Sequence, residues 1–292
     1  MRCFFLSPSE PRLRLGWRLL LHSITYNLLL LCLITPIILL SDLRDRTPTA
    51  SSVLVFSTIA MLGAVTLSVF LSRRFLDRRP ISSIGLKINR KVFFDSLSGF
   101  LIAGVMMGCI YLIELLLGWL KCEGFAWQSS SPATVIGGVL SMLAVFILVG
   151  WNEELLFRGY RLQNLNESLN PAWGLALSSI WFALAHLANP GVSAMALGGL
   201  YLAGLFLAYA CMRTKQLWLP IGLHIGWNFF EGVVFGYPVS GMDLFHLIRH
   251  TISGPDFWTG GAFGPEAGLV LLPALAVGVA LVFCYSMLCR EF

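Results

Sequence analysis

Eight apolar windows limit what this chain can fold into: about 19–40, 53–71, 97–120, 133–153, 172–187, 193–212, 218–236 and 267–289. Most approach the ~20 residues that a helix needs to cross ~30 Å of hydrocarbon; the fifth is the shortest. Runs of this length in lipid must satisfy their backbone groups internally, which favours helices. The composition agrees, because only 12% of the 292 residues are charged, against ~25% in an average soluble domain. The fold class expected is therefore all-α, a polytopic bundle of about eight transmembrane helices. It is read as a single integral-membrane domain over residues 1–292, with a core of interest at about 133–236. No internal repeat, low-complexity tract or nucleic-acid signature interrupts it.

Charge placement supplies a topology. With the N-terminus in the cytoplasm and the spans alternating, the outer side holds only Arg44, Arg46, Lys121 and Arg249 of the twenty Lys and Arg. The other sixteen lie inside, the asymmetry that the positive-inside rule describes. Both termini are then expected to be cytoplasmic, and the net charge of +5 follows from topology rather than from an anionic partner. The basic stretch Arg73–Lys91 reads as an orientation signal that also meets anionic headgroups. The first window is too long for a signal peptide and has no small-residue cleavage site after it.

The seven cysteines are scattered without a C-x-x-C pair and read as small hydrophobes. Cys289 occupies a prenylation position, but Arg290 and Glu291 are not the aliphatic residues such a signal requires.

Against this background, ionisable residues inside the windows stand out, because charge in hydrocarbon needs a partner or a wet cavity. The run Trp151–Arg161 reads WNEELLFRGYR and follows an apolar stretch without a turn signal. Arg158 is four residues after Glu154, on the same helical face and in the favourable acid-before-base order. Glu153 points about 100° away and lacks that partner. Further on, Phe182 and His186 share one face, as do His224 and Asn228. If the fourth and fifth helices both project below the membrane, Glu153, His186 and His224 converge at roughly 10–12 Å depth, at 1.5 Å per residue. Glu231 lies nearly on the His224 face, either at a cavity floor or near the outer interface. No role is read for Glu114. His246 and His250, four apart in the outer segment 237–266, have the spacing of two metal ligands on a helix but no third nearby.

Together the ordered set Glu-Glu-x-x-x-Arg at 153–158, Phe-x-x-x-His at 182–186 and His-x-x-x-Asn at 224–228 resembles the CPBP intramembrane proteases. These are the CAAX prenyl protease 2 and bacteriocin-processing group, also called Abi proteins. The resemblance implies an eight-helix peptidase whose cavity opens toward the cytosol. It implies Glu153 as the catalytic carboxylate, His186 as its helper in activating water, and His224 with Asn228 as the oxyanion site. Glu154, Arg158 and Phe182 would support them. Peptide hydrolysis needs these parts: a base for water, a proton for the leaving amine, and donors facing the oxyanion.

No cofactor is expected, although one carboxylate with two imidazoles is also a known catalytic zinc set, so zinc or another divalent metal stays open. The expected partners are a peptide or protein substrate, possibly lipid-modified, and the bilayer, with no nucleic acid. The expected setting is the cell membrane, as a multi-pass protein of a prokaryotic kind. The competing readings are a proton-relaying transporter and a non-cutting immunity protein.

Overall fold

The computed structural model describes residues 5–7, 10–42 and 50–288. Each apolar window becomes helix. The elements are α1 (Leu15–Asp42), α2 (Ala50–Leu71), α3 (Lys91–Leu116), α4 (Pro132–Glu154), α5 (Leu162–Ser168), α6 (Pro171–Leu184), α7 (Ala194–Thr214), α8 (Trp218–Asn228) and α9 (Leu271–Leu288). Between α4 and α5 the helix continues over Leu155–Arg161 in π-helical form, as it does after α8 over Phe229–Phe235. The protein is an all-α polytopic membrane protein. Residues 289–292, with Cys289, lie outside the described residues.

The number of crossings needs qualification. Among the described residues, six helical stretches are long and apolar enough to span a membrane: Leu15–Pro36, Val55–Leu76, Lys91–Leu116, Pro132–Ser168, Ala194–Thr214 and Leu271–Leu288. The fifth and seventh windows yield α6, of 14 residues, and α8, of 11. At 1.5 Å per residue α6 covers only ~21 Å. Length and composition thus support six crossings and do not confirm the expected eight.

Local sequence explains the boundaries. Ser131 caps α4 by accepting a hydrogen bond from the Thr134 N–H, with Pro132 following at the first helical position. Asn170 and Pro171 do the same for α6, and Ser193 caps α7. Such oxygens satisfy donors that a helix start leaves free, and proline there forfeits nothing. The window at 172–187 suggests helix through His186, but α6 stops at Leu184. The His186 N–H bonds the Ala183 carbonyl in a tighter turn, and the Pro190–Gly191 pair then redirects the chain, Gly191 at φ 69°.

Among the described residues, two short strands form a small sheet beside the helices. β1 (Leu120–Phe125) pairs antiparallel with β2 (Ile248–Ile252), with a bulge between Cys122 and Gly124. This pairing ties the segment 237–266 back onto the bundle. Within that segment the His246 Nδ1 faces the Leu244 carbonyl, while His250 pairs across the sheet with Cys122.

The closest helix contact brings α3 against α8. A Cβ on Gly226 would stand 2.6 Å from the Phe100 carbonyl oxygen, and Cβ atoms on Gly99 and Gly222 would meet backbone of the opposite helix. Small residues permit such approach, which carries helix association in lipid. Because Gly222 and Gly226 flank His224, this contact also sets where the imidazole sits. Gly222→Val should destabilise the protein by at least ~1–3 kcal/mol, the usual cost of overpacking. The check is a thermal-unfolding midpoint in detergent, and an unchanged midpoint would show that the contact can open without loss.

A polar clamp closes one end of the bundle. Arg18 of α1 bonds Asp77, Asn164 and Ser168; Arg73 bonds Asp77 at 3.0 Å and Glu167 at 2.7 Å; Arg12 meets Glu167 at 2.8 Å. Two charges that the sequence places at the α2 end, Arg73 and Asp77, are therefore buried in ion pairs rather than displayed to lipid headgroups.

Candidate active site

α4 delivers two adjacent carboxylates to different surroundings. The preceding turn is anchored to α2, since Trp151 Nε1–H donates to Thr66 Oγ1 at 3.0 Å and Asn152 Nδ2–H to the Thr58 carbonyl at 3.3 Å. Glu154 then turns into the protein and is fully buried. Its Oε1 accepts from Arg158 at 2.8 Å and faces His224 Nδ1 at 2.8 Å. Arg158 also donates to the Gly204 carbonyl of α7 at 3.2 Å and lies 4.3 Å over the Phe182 ring. One ion pair thus holds α4, α6, α7 and α8 together. The pair is satisfied on one side only, since Glu154 Oε2 is buried without a hydrogen-bond partner.

Glu153 lines a cavity instead, with its Oε2 shielded and without a direct hydrogen bond. Its Oε2 stands 3.9 Å from Nε2 of His186 and 3.9 Å from Nε2 of His224. The three groups come from α4, the turn after α6, and α8. His186 is oriented by its other nitrogen, which lies 2.9 Å from the Phe182 carbonyl. A carbonyl only accepts, so Nδ1 carries the proton, and in the neutral ring Nε2 presents a lone pair toward Glu153. His224 differs, because its Nδ1 faces a carboxylate oxygen of Glu154 at 2.8 Å. Its Nε2 becomes a donor to the cavity while Nδ1 stays on Glu154 only when the ring is doubly protonated.

These side chains line a cavity of about 400 Å³, which Asn228 also lines, one turn beyond His224. A smaller apolar pocket shares Phe182, His224 and Asn228 with it and is otherwise walled by residues such as Met106, Phe206 and Leu275. The structure therefore brings Glu153, Glu154, Arg158, Phe182, His186, His224 and Asn228 to one place.

Sequence reasoning passed over three contributors. Glu266, at the far end of the segment 237–266, lines both spaces and accepts a hydrogen bond from Ser240 Oγ. Burial raises its carboxyl above the ordinary glutamate range. The Ser240 carbonyl in turn accepts from Asn189 Nδ2 at 3.1 Å, which fastens this segment to the turn that carries His186. No periodic pattern marks such residues; only the glycines around them hint at close backbone approach. Glu231 is buried away from water, and Glu114 accepts from Tyr237 at 2.8 Å.

Among the described residues no group of three or more His, Cys, Asp or Glu is arranged to hold an ion. The 3.9 Å separations are wider than the ~3.3 Å expected between ligands on a tetrahedral zinc with bonds of ~2.0–2.1 Å. His246 and His250 gain no third ligand either.

A multi-pass helical protein with acid and imidazole groups gathered in one cavity defines a class, that of membrane proteins with a polar site between their helices. Comparison with known proteins narrows it. Residues 134–230 match the Rce1-like family, described as type II CAAX prenyl endopeptidase Rce1-like. That segment contains all three motifs, and the match is consistent with the CPBP group. An uncharacterized 24.3 kDa protein of Escherichia coli is 31% identical over 126 residues, covering 41% of this chain and 56% of that protein.

Proposed function

We propose that this protein is an intramembrane endopeptidase that hydrolyses peptide bonds of membrane-associated peptides or proteins. The observation that carries the reading is the position of the Glu153 carboxylate, 3.9 Å from two imidazole nitrogens on other elements. That gap is too wide for direct hydrogen bonds and suits a bridging water. The family match over 134–230 supports the same class of chemistry.

In this reading Glu153 and the His186 Nε2 lone pair hold a water. Its oxygen attacks the scissile carbonyl carbon while its proton passes to Glu153. The oxyanion that forms faces the Asn228 amide and the protonated His224, whose charge Glu154 balances. Collapse breaks the C–N bond, and Glu153 returns the proton to the leaving amine. One water is consumed and every side chain ends as it began. Glu154 and Arg158 act through His224, fixing its ring and its protonation. We place the site toward the cytoplasmic side, following the distribution of Lys and Arg. Substrates with a lipid modification are compatible with the apolar pocket beside His224.

The test is to express the wild type and His186→Ala in the same cells and to compare membrane proteins for new C-termini by mass spectrometry. Termini present with the wild type should fall by ~10²–10⁴-fold in the variant, the scale of a lost acid–base partner. Coincident profiles at equal expression would exclude hydrolysis by this site and leave the transporter and the non-cutting readings. Activity that persists after exhaustive chelation would separate the water-activating glutamate from a metal-dependent route.

A further inference from the structure

The buried arginines of this protein are almost all answered by acids. Arg12, Arg18 and Arg73 sit in the clamp, and Arg158 is held by Glu154. Arg161, three residues later, is different. It lines the 400 Å³ cavity with Glu153 and His224, yet among the described residues it makes no ion pair and no hydrogen bond. Its guanidinium is held by rings alone, 4.9 Å from the Phe157 centroid and 5.2 Å from that of Trp181. Tyr26 of α1 lines the same end of the cavity.

Aromatic faces steady a guanidinium but take none of its five N–H donors. The group stays charged at any ordinary pH, and a cation in a low-dielectric setting calls for a counter-charge. Glu153 does not provide it, because eight residues of helix separate the two, ~12 Å along the axis. Arg161 is half-buried, and a counter-charge for it can come from what enters the cavity.

We propose that Arg161 docks a carboxylate of the peptide substrate and so selects which peptides present a bond to Glu153. This rests on the peptidase reading above. The geometry favours a carboxylate, which meets a planar guanidinium through two parallel hydrogen bonds. Either the C-terminal carboxylate or an Asp or Glu side chain supplies that chemistry, and the experiment separates them. Arg161 is a specificity-determining residue in this view, since the reacting atoms lie at Glu153.

The probe is a library of N-acylated octapeptides, each made as free acid and as C-terminal amide, with Asp/Glu and Asn/Gln counterparts at every position. Full-length protein in detergent is incubated with it, and the products are read by mass spectrometry. The wild type should cleave peptides bearing the recognised carboxylate with kcat/KM about 10- to 100-fold above their neutral counterparts, as expected for losing a charged hydrogen bond. The loss should fall mainly in KM. Arg161→Met should bring that ratio to near one, and Arg161→Lys should retain part of it, a point charge without the fork. A preference between acid and amide identifies the chain end, and one between Asp/Glu and Asn/Gln identifies a side chain. A wild type that cleaves the library but prefers neither overturns the inference while the peptidase reading stands. So does an Arg161→Met protein that keeps the wild-type ratio. Should Arg161→Met fail to fold, the wild-type preferences decide alone. A wild type that cleaves nothing in the library overturns the peptidase reading, and this inference with it.

Discussion

Glu153→Gln should lower kcat/KM for peptide hydrolysis by about 10²–10⁴-fold, the usual contribution of a positioned acid–base group, with helical content and detergent-extracted yield unchanged. Glutamine keeps the shape and the hydrogen-bonding reach of the side chain. It cannot accept the proton of an attacking water. Glu153 is well suited to such a test because it bears little structural burden: its Oε2 lies 3.9 Å from both imidazoles and it makes no ion pair with an arginine. The measurement is single-turnover cleavage of any peptide that the wild type cuts, with circular dichroism in parallel. A variant that retains full rate would remove Glu153 from the role of base and return the site to its other ionisable groups.

The second large effect is on stability. Arg158→Met strips the counter-charge from a fully buried carboxylate, since Glu154 Oε1 relies on Arg158 at 2.8 Å and is otherwise faced by His224. Breaking a buried pair from one side costs about 3–5 kcal/mol, because the remaining charge is stranded. The thermal midpoint in detergent should fall accordingly. The double replacement Glu154→Gln with Arg158→Met should recover most of that loss while leaving His224 without its orienting partner. If the single variant melts with the wild type, the pair is idle and some other contact joins α4 to α7 and α8.

How much of this was legible in the sequence depends on the distance over which each signal acts. The apolar windows are local, and each becomes a helix. The lengths of those helices are less local. α6 ends two residues before His186 because of the turn that Asn189, Pro190 and Gly191 build, and α8 is extended by a π-helical segment that propensity does not foretell. The motif spacings at 153–158, 182–186 and 224–228 could be read directly, since each lies within about one turn. Their meeting in one cavity is tertiary, fixed by the glycine contact between α3 and α8 and by the bonds of Arg158. Glu266 was hidden for the same reason. It reaches the cavity only because Ser240 and Asn189, each distant in sequence, fasten its loop there. Arg161 could be seen in the sequence as one more basic residue on the inner side, but the absence of an acid around it is visible only in three dimensions.

Between Glu154 and Leu162 the chain winds with i→i+5 hydrogen bonds, so these seven residues hold more backbone than a regular α-helix over the same rise. An in-frame loss of a single codon there would let the coil tighten to regular α-helix while leaving the turns beyond nearly in phase, because the widened run already carries the extra residue. Asn164 would keep Arg18 and Asp77 within reach. The same loss in the regular turns of α4 would instead rotate the two carboxylates by ~100° relative to the turns before them.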